Sequence, residues 1–370
     1  MLDFTWTDHS LVNVLYCVLI YAVFILSYYN RYVTRGLIKE TKTNYFLLFA
    51  AFFLIITACI DGDWFNYREL VMYYDFSEGA HNHGEPIYGY IIKFVNQNYL
   101  LFRLVVWGVA FVLTLISFKR FDLNINIAVF FLIAVFLVKF NYARATLGMA
   151  SCCVGLSYLL KPRRGLLIMN VLLAALFFWG AYEFHHSVLI LVILCVATIY
   201  LPVDKPIIVI ALLLVMPFLA ALLKDNLILV DQLENEYISD RLEHYLDRST
   251  GPSNIFGILG GVISYGVFVV PIFLDTITIV RKRKQVPVSM VKLYRVIISA
   301  SILALSFSFM GLESSVFVYR ILFMTFIPLT ILTVYLYENG LMPKKWYSYS
   351  VLWGIFAISL KLFHLFWEYR

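Results

Sequence analysis

The stretch "NYFLLFAAFFLIITACI", residues 44–60, decides the fold class of this protein. It runs for seventeen residues without a single charged side chain. Folded as an α-helix, a stretch of this kind approaches the length needed to cross a hydrocarbon core of about 30 Å. Because lipid offers no water to its backbone amides, they must be hydrogen-bonded internally, which a helix achieves. The stretch therefore predicts a transmembrane helix.

The same pattern recurs along the whole chain. Of the 370 residues, 62% are hydrophobic and 14% are charged, whereas a soluble domain carries roughly 25% charged residues. Hydropathy gives about twelve apolar segments, so we predict an all-α polytopic membrane protein with a single domain over residues 1–370. The predicted spans lie near residues 10–29, 44–60, 100–117, 125–140, 145–160, 166–182, 187–201, 206–223, 257–280, 292–310, 321–337 and 348–366.

Basic residues cluster in alternate loops, as in "KPRRG" at 161–165 and "RKRK" at 281–284. Loops rich in Lys and Arg stay on the cytoplasmic side of polytopic proteins. We therefore place both termini outside, together with two long polar segments, residues 61–99 and 224–256. Each segment also carries apolar residues at helical spacing, which predicts amphipathic helices at the membrane surface.

The first external segment opens with "DGDWFNYREL", residues 61–70. A carboxylate can take the proton from an attacking sugar hydroxyl, and aromatic rings can stack on sugar faces. We predict Asp63 as a candidate catalytic residue. The alternatives are that the aspartates only solvate the helix exit and that the aromatics form an interfacial belt. The predicted substrate-binding residues of this stretch are Asp61, Trp64, Tyr67 and Arg68.

Two arginines directly precede apolar spans: Arg144 in "NYARATLGMA" and Arg320 in "SSVFVYRILF". A guanidinium at such a boundary faces the bundle interior or a cavity more often than lipid. Its planar fork suits a multi-oxygen anion such as a diphosphate, so we predict both as catalytic. The alternative is that long cationic side chains only reach toward the headgroups, which we expect of Lys139, Lys361 and Arg370.

The order of these motifs resembles the EpsG-like branch of the Wzy-type polysaccharide polymerases over about residues 45–335. The family's external-loop pattern corresponds to "GDWFNY" and then "EPIYGY", and its span-opening arginines correspond to Arg144 and Arg320. "FHHS" at 184–187 matches its F-H-x-S motif, and "RLEHYL" its basic–tyrosine segment. The resemblance implies a catalytic role for His185, although His186 fits the motif too. It also implies substrate-binding roles for Glu85, Tyr90, Arg241 and Tyr245.

Such polymerases sit in the bacterial inner membrane and act on oligosaccharide units carried by undecaprenyl diphosphate. The resemblance implies a GT-C-like fold and transfer of the growing glycan onto an incoming lipid-linked unit. It also implies a chain-length regulator as a possible protein partner. The donor already carries an activated sugar–diphosphate bond. We therefore expect no cofactor and no nucleic-acid partner, and the chain shows neither a P-loop nor a dinucleotide-binding fingerprint.

Some residues have alternative roles. The alternative for His185 is a structural group hydrogen-bonded to a neighbouring helix, and Glu313 in "GLESS" is a spare candidate base. The motif "HNHGE" invites a metal site at His81, His83 and Glu85. Zinc sites usually require three or four ligands in a fixed geometry, and we predict no metal.

Two other function classes compete with the polymerase. One is a flippase or transporter of lipid-linked sugars, a class that often carries internal repeats and broken helices at the membrane midplane. We find no repeat, and the polar residues cluster outside the membrane. The other is a related O-antigen ligase or lipid-linked glycosyltransferase, which would bind the same type of donor.

Overall fold

The computed structural model describes residues 10–29, 42–58, 63–74, 76, 86–140, 142–162, 165–200, 255–309 and 321–368, with single positions at 208, 211 and 215. Within these ranges the chain is helical, with turns and no strand, which confirms the all-α prediction. The helices are α1 (Leu11–Tyr29), α2 (Tyr45–Thr57), α3 (Asp63–Met72), α4 (Pro86–Phe94), α5 (Tyr99–Arg120), α6 (Ile125–Phe140), α7 (Ala143–Leu160), α8 (Leu167–Phe184), α9 (Leu189–Tyr200), α10 (Ile255–Lys282), α11 (Val288–Phe309), α12 (Phe326–Glu338) and α13 (Lys344–Glu368).

Within the described residues, five stretches of helix are long and apolar enough to cross a membrane. They are α1, α5, α8, Val288–Leu305 of α11 and Lys344–Trp367 of α13. Helices α2, α6, α12 and most of α7 are shorter but also apolar. Length and composition thus identify a helical membrane protein. The number of about twelve spans stays a prediction, and the predicted span 206–223 falls almost wholly outside the described residues.

Helices α6 and α12 form the centre of the bundle. Nearly every residue of each is buried, as expected of a helix that is apolar on all sides. Helix α6 packs against α2, α12 and α13. The contact with α13 depends on Gly354, because a Cβ at that position would lie 2.6 Å from the Val135 Cα.

Polar contacts join the helix ends at the predicted cytoplasmic side. The Arg120 Nε of α5 donates to the Ser157 Oγ of α7 at 2.6 Å, and its guanidinium lies 3.5 Å from the ring centre of Tyr158. Glu338, the last residue of α12, accepts from the Asn124 backbone N–H with both oxygens, at 3.0 and 3.1 Å. A carboxylate next to the start of α6 complements the positive end of the helix dipole.

The first predicted external segment contains two short helices among its described residues. As predicted, a helix occupies its second half: α4 begins at Pro86, a residue that fits the first helical position because its missing N–H has no partner there anyway. It buries Tyr88 and Ile92 and exposes Tyr90 and Phe94. The "DGDWFNYREL" stretch itself forms α3 from Asp63 onward. Of the second predicted external segment, residues 224–254 lie outside the described residues.

Candidate functional site

Helix α3 contains the aromatic residues of the "DGDWFNYREL" motif. It begins at Asp63, where a carboxylate is favoured by the helix dipole, and Tyr67 follows one helical turn later. The side chains are described from Tyr67 onward, and Tyr67 and Arg68 are both half-buried. Asp61 lies outside the described residues, and for Asp63 and Trp64 only the backbone is described.

The central contact of the site joins α3 to the beginning of α7. The Arg144 Nε donates a hydrogen bond to the Tyr67 hydroxyl at 2.7 Å. The guanidinium carbon of Arg144 lies 5.5 Å from the centre of the Tyr67 ring. Hydrogen bonds that involve a charged group are stronger than neutral ones and fix the group's orientation. Tyr67 therefore contributes to the orientation of the Arg144 guanidinium.

His185 joins this site from the end of α8. Its backbone N–H closes the helix by donating to the Ala181 carbonyl at 3.0 Å. A Cβ built on Gly148, one turn along α7 from Arg144, would lie 3.2 Å from the His185 Cβ. Residues four apart on a helix share a face. The α7 face that carries Arg144 is thus the face against which His185 packs.

The two histidines of "FHHS" occupy different environments. His185 is half-buried against α7, whereas His186 is exposed and stacks on Tyr182 at 4.6 Å between ring centres. His185 is therefore the histidine that packs against α7, the helix that carries Arg144. The Ser187 side chain is outside what the structure describes.

Two of the other predicted site residues have described side chains. Tyr90 lies on the exposed side of α4, 70% accessible. Arg68 neighbours Tyr67 on α3. The remaining predicted residues lie outside the described ranges, and so does the "HNHGE" motif; they are Glu85, Arg241, Tyr245, Glu313 and Arg320.

Arg103 on α5 is a polar residue of this region whose environment the sequence did not predict. Its side chain is 1% exposed, and it donates to backbone carbonyls at the end of α2. The sequence signal for the burial of Arg103 is weak, because an arginine near the start of a span also fits a side chain that reaches the headgroups. Lys139, which we expected to reach the headgroups, is buried as well, at 6% exposure.

In chemical terms the site offers an oriented cation, a phenol hydroxyl and an imidazole. A preoriented guanidinium can stabilise negative charge that develops on a leaving phosphate group. A neutral imidazole can accept a proton near physiological pH. The set therefore suits transfer of a group away from a phosphate leaving group onto a hydroxyl.

Comparison with known proteins gives one match. No curated protein and no solved structure matches the chain. The family model of the EpsG family matches residues 42–369, which covers α2 through α13 and every residue of the candidate site. This family is associated with a polysaccharide polymerase type of function and, coarsely, with a glycosyltransferase role. Since the match extends over most of its 370 residues, the chain belongs to the EpsG family.

Proposed function

We propose that this protein is a polysaccharide polymerase that transfers a growing glycan from undecaprenyl diphosphate onto an incoming lipid-linked repeat unit. The single observation that carries the proposal is the Tyr67–Arg144 hydrogen bond beside His185 in a chain of the EpsG family. It joins two motifs that the resemblance assigns to the active site. The reaction takes place at the outer face of the bacterial inner membrane.

In the proposed reaction the bond between the anomeric carbon and the diphosphate oxygen breaks, and an acceptor hydroxyl oxygen bonds to that carbon. The departing lipid diphosphate gains negative charge, which Arg144 stabilises in a partly dehydrated site. The acceptor proton passes to a base. His185 is the candidate base with a described side chain, and Asp63 and Glu313 are the other candidates.

The remaining predicted residues complete the proposal as binding groups. Arg320 adds a second cation for the diphosphate. Aromatic rings hold the sugars, and further polar residues from both external segments bind the acceptor. The proposed binding residues are Asp61, Trp64, Tyr67, Arg68, Glu85, Tyr90, Arg241 and Tyr245. The lipid tail of the substrate lies in the bilayer, and a chain-length regulator is a possible partner.

Deleting the gene tests the proposal through the length of the surface glycan on a gel. Loss of a polymerase leaves single repeat units attached to their final acceptor, because flipping and ligation continue. Loss of a flippase or ligase removes the units altogether. We expect single units after deletion and a full ladder after return of the wild-type gene. Absence of attached units in the deletion strain would contradict the proposal.

A further inference from the structure

The buried side chain of Arg103 donates three hydrogen bonds to backbone carbonyls at the end of α2. Its Nε donates to the Ile56 carbonyl at 2.7 Å, and its Nη2 donates to the carbonyls of Ile55 at 2.9 Å and Ala58 at 3.3 Å. The last four carbonyls of an α-helix lack intrahelical partners, and a cation there complements the negative end of the helix dipole. A fully buried guanidinium is tolerated only when it is paired in this way. Arg103 is thus a cap for α2.

Trp107 caps the end of α6 in a similar way. It lies one turn after Arg103 on α5, is 1% exposed, and its Nε1 donates to the carbonyl of Phe140, the last residue of α6, at 3.0 Å. The Arg103 guanidinium carbon lies 4.4 Å from the Trp107 ring, a distance at which cation and ring attract each other. One face of α5 therefore holds the ends of two other helices.

These two helix ends lead into the candidate site. From Ala58 the chain needs five residues to reach Asp63, the start of α3. From Phe140 it needs four residues to reach Arg144. Short connections transmit the position of a helix end to the residues that follow it, because the reach of the backbone is limited to about 3.5 Å per residue. The placement of Tyr67 relative to Arg144 thus depends on the two caps.

We propose that Arg103 and Trp107 are positioning residues that hold the α2 and α6 ends in the register needed for the Tyr67–Arg144 contact. This inference rests on the proposed function for its effect on catalysis, but its geometric part does not. The two residues act through Tyr67 and Arg144, and they touch backbone at the helix ends. Removing either cap lets the two segments separate while the bundle persists.

The geometric test measures the distance between spin labels on cysteines placed at positions 67 and 144 of the full chain in membranes. Cys59 is replaced by serine, while the other four cysteines are buried. Electron paramagnetic resonance gives the distance between the two labels and requires no covalent bond between the segments. The distance therefore reports the separation of the two segments without any catalysis.

The tested variants are Arg103→Met and Trp107→Phe, and the matched control is Arg120→Met. Arg120 is the other α5 arginine that donates from Nε and lies over an aromatic ring, but it does so at the opposite end of the helix. Trp107→Phe keeps an aromatic ring but loses the N–H together with part of the indole, and it provides a second variant if Arg103→Met does not accumulate. We expect both variants to lengthen the distance between the labels by at least about 5 Å, one helical turn, relative to the control, because the two segments separate.

The effect of the two variants on catalysis is measured separately, as kcat and KM, in protein that keeps Tyr67 and Arg144. The substrate is lipid-linked repeat units extracted from the deletion strain. Misplacement of reacting groups by about 1 Å costs up to about a hundredfold in rate, so we expect kcat to fall about tenfold while KM stays within about threefold. An unchanged label distance in both variants would overturn the inference. A lengthened distance in both variants, together with a wild-type protein that makes no polymer, would uphold the geometry and contradict only the proposed function.

Discussion

Tyr67 and Arg144 are separated by 77 positions in the chain, yet they form a hydrogen bond of 2.7 Å. The sequence predicted a role for each residue, Tyr67 from an external aromatic motif and Arg144 from its place before a span. It did not predict their contact, because that depends on how α2, α5 and α6 place two helix ends. The sequence therefore indicated the chemical role of single residues, but it did not predict which of them are in contact.

The histidine pair provides a prediction at the residue scale. We expect His185→Ala to lower polymer formation at least about a hundredfold, the lower end of general acid–base catalysis, because His185 packs on the α7 face that carries Arg144. His186→Ala is the matched control and should stay near normal, because His186 is exposed on Tyr182. The measurement is the glycan ladder at equal membrane protein level. A stronger loss of polymer in His186→Ala than in His185→Ala would assign the catalytic role to His186 instead.

The packing of α7 against the end of α8 gives a prediction at the scale of elements. A Cβ at Gly148 would lie 3.0 Å from the Ala181 carbonyl oxygen and 3.2 Å from the His185 Cβ, so Gly148→Ala must push these groups aside. Overpacking of this kind costs about 1–3 kcal/mol, and displacement of His185 should lower activity about tenfold or more.

Gly180→Ala is the control for this variant, since its Cβ would meet the Ser151 Oγ at 3.5 Å, an ordinary contact. Thermal unfolding and ladder length are measured for both variants. Equal activity in the two would show that the close approach at Gly148 does not position His185.

The elements themselves were largely predictable. Apolar runs gave the helices because length and composition decide a membrane span, and Pro86 marked the start of α4. Helix α3 was different, because its residues open a polar segment that the sequence predicts to lie outside the membrane. Its polar and aromatic residues show no strong apolar period, and its register is held by contacts distant in sequence, such as that between Tyr67 and Arg144.

At the scale of the whole molecule, the orientation in the membrane is a prediction from the basic loops. A reporter fused after Arg164 or Lys284 should report the cytoplasm, and one fused near Asn82 or Glu236 should report the outside, because Lys- and Arg-rich loops are retained inside. Alkaline phosphatase and fluorescent protein fusions measure the two sides. An inverted pattern would move the site to the compartment without lipid-linked acceptor units and end the polymerase proposal.

The central claim is that the Tyr67–Arg144 pair takes part in glycan transfer. The most direct measurement is polymer formed from extracted lipid-linked repeat units by purified protein in bilayers. We expect Arg144→Ala to form no polymer and Arg144→Lys to restore little, since lysine keeps the charge but loses the planar fork. Tyr67→Phe should lose about tenfold, as expected for a hydrogen bond to a charged group worth about 1.5 kcal/mol. Wild-type polymer length and rate in a folded Arg144→Ala protein would contradict the account.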